Sequence, residues 1–184
     1  MRKEDIRISI KAQKSLLSDE ERRAAAVKVF GMLERSAAFM MADRILMYHS
    51  LADELSTLEF IDRWHDRKRF FLPRVNGVDL EVLPYDRSKL QLGAFRIEEP
   101  SGDDVVDADS MELIVVPAVA YDRNGNRVGR GKGYYDRLLG STRAVKVGVG
   151  YGFQLVDGDI DSEPHDVKVD MVITEKGVIF TRHR

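Results

Sequence analysis

The sequence predicts an α/β fold: a three-layer α/β/α sandwich with a mostly parallel central sheet and a hairpin extension. Three observations predict it. Short apolar runs alternate along the chain with amphipathic segments at helical spacing, the pattern of strands joined by crossover helices. Leu113-Ile114-Val115-Val116 is apolar without interruption, as a strand covered on both faces must be. Asn76-Gly77 lies between two strand-like runs, a dipeptide that favours a tight hairpin turn.

The elements follow in order. The first segment reads as a helix, with Ile6, Ile10 and Leu17 on one side and Lys3, Arg7, Lys11 and Lys14 as a basic stripe. Ser18-Asp19-Glu20-Glu21 has the form of a capping box, opening a second helix whose buried stripe is expected to be Val27, Phe30, Leu33 and Ala37. Residues 44–49 predict the first strand. Ser56-Thr57-Leu58-Glu59 reads as another capping box, starting a helix through Trp64, in which Phe60 and Trp64 are core residues. Residues 70–72 predict a strand, and the hairpin returns through Leu80, Val82 and Leu83. A loop is expected at 93–100 and a central strand at 113–117. A glycine-rich loop then leads to a short helix at 134–139. Strands are predicted at 145–149 and 171–174, the last turning at Glu175-Lys176-Gly177 into Val178-Ile179-Phe180. No repeat or linker interrupts the chain, so residues 1–184 read as one domain. In such sheets ligands gather beyond the carboxyl ends of the strands, which directs attention to the residues after Ser50, Pro117 and Tyr151.

Composition narrows the chemistry. The 184 residues are 43% hydrophobic and 33% charged, a globular balance, with a formal net charge of −2. Nothing global attracts nucleic acid or anionic lipid. The absence of cysteine excludes a disulfide scaffold, a thiolate nucleophile and a cysteine-based zinc site. No run of about 18 apolar residues predicts a membrane span, and Met1-Arg2-Lys3-Glu4-Asp5 leads into polar sequence. A cytoplasmic monomer with neither membrane nor nucleic-acid partner is the expectation. His49, His65, His165 and His183 have no metal-ligand spacing.

The chemistry concentrates in Tyr121-Asp122-Arg123-Asn124-Gly125-Asn126-Arg127-Val128-Gly129-Arg130-Gly131-Lys132-Gly133-Tyr134-Tyr135-Asp136. Alternating glycines remove side chains that would block a close ligand. The loop runs into a helix start, where free amides favour an anion. Arg127, Arg130 and Lys132 add cations suited to phosphate oxygens. The combination reads as a polyphosphate cradle, although neither the Walker pattern nor the dinucleotide fingerprint is present. Gly148-Val149-Gly150-Tyr151-Gly152 shares the glycine spacing without cations and reads as close strand packing.

The segment Gly129-Arg130-Gly131-Lys132-Gly133-Tyr134-Tyr135-Asp136 is similar to the signature of the 5-formyltetrahydrofolate cyclo-ligases. Val116-Pro117 with Tyr121-Asp122, Lys3-Glu4-x-x-Arg7, Glu99-Pro100 after Gly93-Ala94-Phe95, and Pro164 to Asp170 also resemble that family in order. The resemblance implies an ATP-dependent enzyme that cyclises 5-formyltetrahydrofolate to 5,10-methenyltetrahydrofolate. It implies that Lys3, Glu4 and Arg7 reach ATP from the first helix, and that Arg127, Gly129, Arg130, Gly131, Lys132, Gly133, Tyr134 and Tyr135 hold it. Arg130, Lys132 and Tyr134 would carry the chemistry. Leu51, Glu54, Ser56, Arg130 and Tyr134 would contact the folate, with Ser56 standing where the family usually has an acidic residue. Asp136 and Asp166 would bind magnesium. Two other classes remain at this point: a sugar-phosphate isomerase or CoA-transferase type, using Glu54 or Glu99 as its carboxylate, and a non-catalytic nucleotide- or RNA-binding module.

Overall fold

The computed structural model describes residues 1–93 and 98–182. Its centre is a seven-stranded sheet in the order β11-β10-β9-β6-β1-β2-β3. The strands are β1 (Arg44–Leu46), β2 (Arg69–Asn76), β3 (Asp79–Pro84), β6 (Leu113–Val116), β9 (Val145–Val149), β10 (Met171–Thr174) and β11 (Gly177–Phe180). Five are mutually parallel, and β3 and β11 close the two edges antiparallel. Beyond its pairing with β1 at Arg44↔Arg69 to Leu46↔Phe71, β2 continues with β3 alone as far as Asn76↔Asp79. This is the expected hairpin extension, and its two-residue turn is Gly77-Val78.

Alternation along the strands builds two cores. Ile45 and Met47, Leu113 and Val115, and Met171 and Ile173 face one side. Leu46, Ile114, Val116 and Val172 face the other. The first side is covered by α2 (Asp19–Arg35), α3 (Ala37–Met41) and α4 (Leu58–Trp64), through Val29, Phe30, Leu33, Phe39, Phe60 and Ile61. The second is covered by α5 (Tyr134–Leu139), through Leu138 and Leu139, with Met111 and Tyr121. Three layers result. Each fully buried aliphatic side chain contributes about 1.5–3 kcal/mol.

Two local expectations change, and one between them holds. The buried stripe of α2 is Ala25, Val29, Phe30 and Leu33, whereas Val27 and Ala37 are exposed; the helix is rotated so that its 25–29–33 row meets the sheet. Ser18 does form a capping box, accepting from the Glu21 amide while Glu21 accepts from the Ser18 amide. The second predicted box does not form. Thr57, not Ser56, caps α4 and makes no side-chain cap bond, because its buried hydroxyl donates to the Tyr48 carbonyl at 2.8 Å.

Helix α1 (Lys3–Ser15) does not lie on the main sheet. Its Ile6 and Ile10 pack with Val119, Ala120, Val128 and Ile160. This third cluster surrounds a small hairpin formed by β7 (Ala120–Tyr121) and β8 (Arg127–Val128). A further two-stranded ribbon pairs β4 (Leu90–Leu92) with β5 (Glu98–Pro100). Ala94 and Phe95 of the predicted central loop, and His183, lie outside the described residues.

Candidate active site

Connections diverge on either side of β1: the chain runs from β1 to β2 and β3 in one direction, and from β6 to β9, β10 and β11 in the other. The carboxyl ends of β1 and β6 therefore form the switch point at which an open α/β sheet binds ligands. Two cavities of similar size can be compared with that expectation. The one of about 650 Å³ includes Arg44 and Arg69, the first residues of β1 and β2, and lies at the wrong end of the sheet. The one of about 660 Å³ opens beyond β1 and is lined by Leu51, Glu54 and Ser56 together with Phe30, Phe60 and Tyr151. All three predicted residues of the post-β1 loop thus share one cleft, lined by charged side chains such as Arg22, Arg23, Glu34 and Arg63 as well as by these aromatics.

The β7–β8 hairpin begins just after β6 and presents the glycine-rich loop. Asp122, 1% exposed, organises it. Its carboxylate accepts from the amides of Asn124, Asn126 and Ile160 and from the Asn126 side chain, so a buried charge is fully satisfied. The Asp-x-Asn-Gly-Asn spacing is the sequence signal for such a turn. Downstream, Gly131 and Gly133 have φ of +97° and +71°, the left-handed region that a side chain disfavours. Gly133 caps α5 without a side-chain hydrogen bond. The other glycine run behaves as expected: a Cβ on Gly148 would lie 2.3 Å from the Tyr121 ring, whose hydroxyl donates to the Val116 carbonyl, with the Val149 carbonyl 3.2 Å away.

Helix α1 docks on this loop, so its basic face is not simply solvated. Arg7 donates through Nε to the Gly129 carbonyl at 2.9 Å. Lys3 pairs with Asp166 at 2.5 Å. Partial burial pushes the Asp166 carboxyl up, but the Lys3 hydrogen bond and the Glu163 amide outweigh it and hold the group below its ordinary value. Glu4 stays exposed and touches Arg7. Arg127 is buried and pairs with Asp136 at 3.0 Å, with its guanidinium 5.8 Å from the Tyr135 ring centre. Its Nε is buried and has no hydrogen-bond partner among the described residues. Burial pushes the Tyr135 phenol upward. Lys132 is exposed. Tyr134 is half-buried, with the Arg137 guanidinium 5.7 Å from its ring centre.

The two predicted metal carboxylates come from segments in contact, but each is paired with its own cation, Asp136 with Arg127 and Asp166 with Lys3. The Val167 amide, next to Asp166, donates to Asp136 at 3.1 Å. Among the described residues no group of three or more His, Cys, Asp or Glu side chains is arranged around a common point. An ion here would need phosphate or water oxygens as well, which is the usual pattern for magnesium. His165 is exposed and sits beside Glu163 and Asp166.

Four further residues belong to this end of the sheet and escaped sequence reasoning. Lys14 is 4% exposed; it continues the Ile6–Ile10 face at i+4, which was the available signal. Its amine lies 3.6 Å from Asp53, and Asp53 meets Arg130 at 3.0 Å. Tyr151 forms part of the cleft wall and stacks on Phe153. Arg22 donates to the Lys14 carbonyl at 2.6 Å, joining the start of α2 to the end of α1. Glu54 accepts from the Leu51 amide at 2.9 Å, and burial raises its pKa. Glu99, the other carboxylate considered for an isomerase, is buried and accepts from the Val75 amide. No helix among the described residues is long and apolar enough to cross a membrane.

Comparison with known proteins completes the picture. The profile of the 5-formyltetrahydrofolate cyclo-ligase family matches residues 1–175. The solved structure of Aquifex aeolicus 5,10-methenyltetrahydrofolate synthetase superposes with a TM-score of 0.89 at 33% identity, covering 99% of this chain and 94% of that one. The 5-formyltetrahydrofolate cyclo-ligase of Escherichia coli is 27% identical over 92% of this chain and 98% of its own length. That of Mus musculus is 28% identical over 94% and 93%. The chain belongs to the 5-formyltetrahydrofolate cyclo-ligase family, a family of ligase-type enzymes.

Proposed function

We propose that this protein, as a single domain spanning residues 1–184, cyclises 5-formyltetrahydrofolate to 5,10-methenyltetrahydrofolate in a magnesium-dependent reaction that converts ATP to ADP and phosphate. The observation that carries the reading is the adjacency of two dissimilar sites. A cationic, side-chain-poor loop meets a cleft of mixed aromatic and charged lining where Arg130 lies 3.8 Å from Glu54. One suits a triphosphate and the other a flat heterocycle.

A formamide oxygen is a poor leaving group. Phosphoryl transfer to it gives an imidate phosphate; attack by folate N10 closes the ring, and phosphate departs with the proton that N10 gives up. Atoms and charge balance without a protein nucleophile, in keeping with a chain that has no cysteine. The protein supplies position and charge. Arg130 and Lys132 face the transferring group. Lys3 and Arg7 approach from α1, and the orphaned Arg127 Nε is a donor that a phosphate oxygen would satisfy. An unpaired buried donor costs about 1–3 kcal/mol. Leu51, Glu54 and Ser56 hold the pterin in the cleft, with Glu54 taking the acidic role that Ser56 lacks, and Tyr134 borders both substrates. Asp136 and Asp166 would hold magnesium, which supplies neutralisation of the phosphate oxygens.

An absorbance assay tests the reading directly. Protein, ATP, magnesium and 5-formyltetrahydrofolate are mixed and the methenyl product is followed. ATP-dependent product formation is expected; folded protein that yields none in the presence of every component would reject the proposal.

A further inference from the structure

Lys14, Asp53, Glu54 and Arg130 come from three separate segments and meet at one point. Lys14 belongs to the last turn of α1, Asp53 and Glu54 to the loop after β1, and Arg130 to the glycine-rich loop. The Lys14 ammonium lies 3.6 Å from Asp53 Oδ2. Arg130 Nη2 reaches both Asp53 oxygens, at 3.0 and 3.3 Å, and lies 3.8 Å from Glu54. All of these contacts run through one terminal nitrogen, so the Nε–Nη1 edge of the guanidinium takes no part in them. Arg22 fixes the frame by donating to the carbonyls of Lys14 and Ala52.

The burial is uneven. The Lys14 side chain is 5% exposed, whereas those of Asp53 and Arg130 are 45% and 49% exposed. A buried ammonium held against a carboxylate cannot swing out to bind substrate. It can only compensate the charge of its partner. Two cations share Asp53, so pairing with Asp53 does not neutralise Arg130 outright. Partial burial pushes the Asp53 carboxyl up, and Lys14 and Arg130 outweigh this and keep it ionised.

We propose that Asp53 is a positioning residue: backed by the buried Lys14, it holds Arg130 at the junction of the glycine-rich loop and the cleft, with one guanidinium edge left to the transferring phosphoryl group. The proposal rests on the functional reading above and adds two residues to it. Asp53 touches neither reacting atom; it acts through Arg130.

The test is a double-mutant cycle between Asp53→Asn and Arg130→Ala, read by calorimetric titration with magnesium-ADP and by steady-state kinetics. Asp53→Asn alone is expected to weaken magnesium-ADP about fivefold and to lower kcat about tenfold, with the KM for the folate changing less than about twofold. In the Arg130→Ala background it is expected to change nothing further, and Asp53→Glu is expected to recover most of the loss. Additive effects would overturn the proposal, as would tighter nucleotide binding in Asp53→Asn, which would make Asp53 a competitor of phosphate. If Asp53→Asn unfolds because Lys14 is left buried and unpaired, the pair Lys14→Met with Asp53→Asn removes both charges and carries the same cycle. A wild-type chain that binds magnesium-ADP but makes no product would sink the functional reading and leave the cycle legible in binding. An additive cycle in an active enzyme would sink the positioning role alone.

Discussion

Strand β6 and the loop at Arg127 to Gly133 are neighbours in sequence and obey opposite rules. All four residues of β6 are buried and apolar, and each side chain faces the core that strand alternation assigns it. The loop gathers cations and glycines, leaves Arg130 half exposed, and buries Arg127 with an unsatisfied donor. The strand minimises free energy locally. The loop carries a local cost, an unpaired buried donor that any oxygen acceptor would relieve. Stability and function are therefore expected to separate on mutation, one region moving the first quantity and the other the second.

The sharpest contrast starts in the strand. Leu113 is 0% exposed; Leu113→Ala removes buried methylenes and leaves a cavity, at a cost of about 3–4 kcal/mol. A lowered denaturant midpoint is expected, with turnover per folded molecule unchanged. A loss of kcat without a loss of stability would break the comparison. The converse substitution is Lys132→Ala. Turnover is expected to fall about 100-fold or more, the scale on which removal of one charge-stabilising donor acts, while the melting midpoint hardly moves, as for most exposed positions. Wild-type rates in that variant would remove Lys132 from the mechanism.

Helix α2 offers a smaller test on the stability side. Ser18 and Glu21 exchange capping bonds at 3.0 and 3.1 Å. Ser18→Ala should cost about 1 kcal/mol, read in a denaturant melt, with KM values for both substrates unchanged. Because α2 also lines the cleft, a change in folate KM would show that its first turn contributes to the site.

How much the sequence disclosed follows the same division. The central strands, the α5 helix and the hairpin extension were legible because apolar alternation and turn chemistry act over a few residues. The glycine-rich loop was legible for the same reason. Lys14 was not, since a lysine on a basic stripe is ordinarily solvated; only the arrival of Asp53, 39 positions away, makes its burial tolerable. The false capping box at Ser56 failed likewise, because a buried carbonyl at Tyr48 claimed the Thr57 hydroxyl. The rotation of α2 was set by the sheet and not by the helix itself. In each case a contact distant in sequence decided a local choice.

Glu54 lines the cleft 3.8 Å from Arg130 of the loop, and it sharpens the comparison with the smallest effect. Burial raises its pKa above the ordinary value of 4.5, against the opposing Leu51 amide and Arg130. A carboxyl whose pKa is raised on folding holds its proton in the folded state over a range in which the unfolded chain has released it. Its contribution to stability is then complete below the unfolded value and declines as pH rises through the folded one. Glu54→Gln cannot titrate, and its amide oxygen can still accept from Leu51. The stability of wild type relative to Glu54→Gln is therefore expected to fall as pH rises from about 4 toward neutrality, measured as paired thermal melts at constant ionic strength. A difference that instead rises with pH would mean that Arg130 holds Glu54 ionised, and that the carboxylate belongs electrostatically to the loop and not to the buried wall of the cleft.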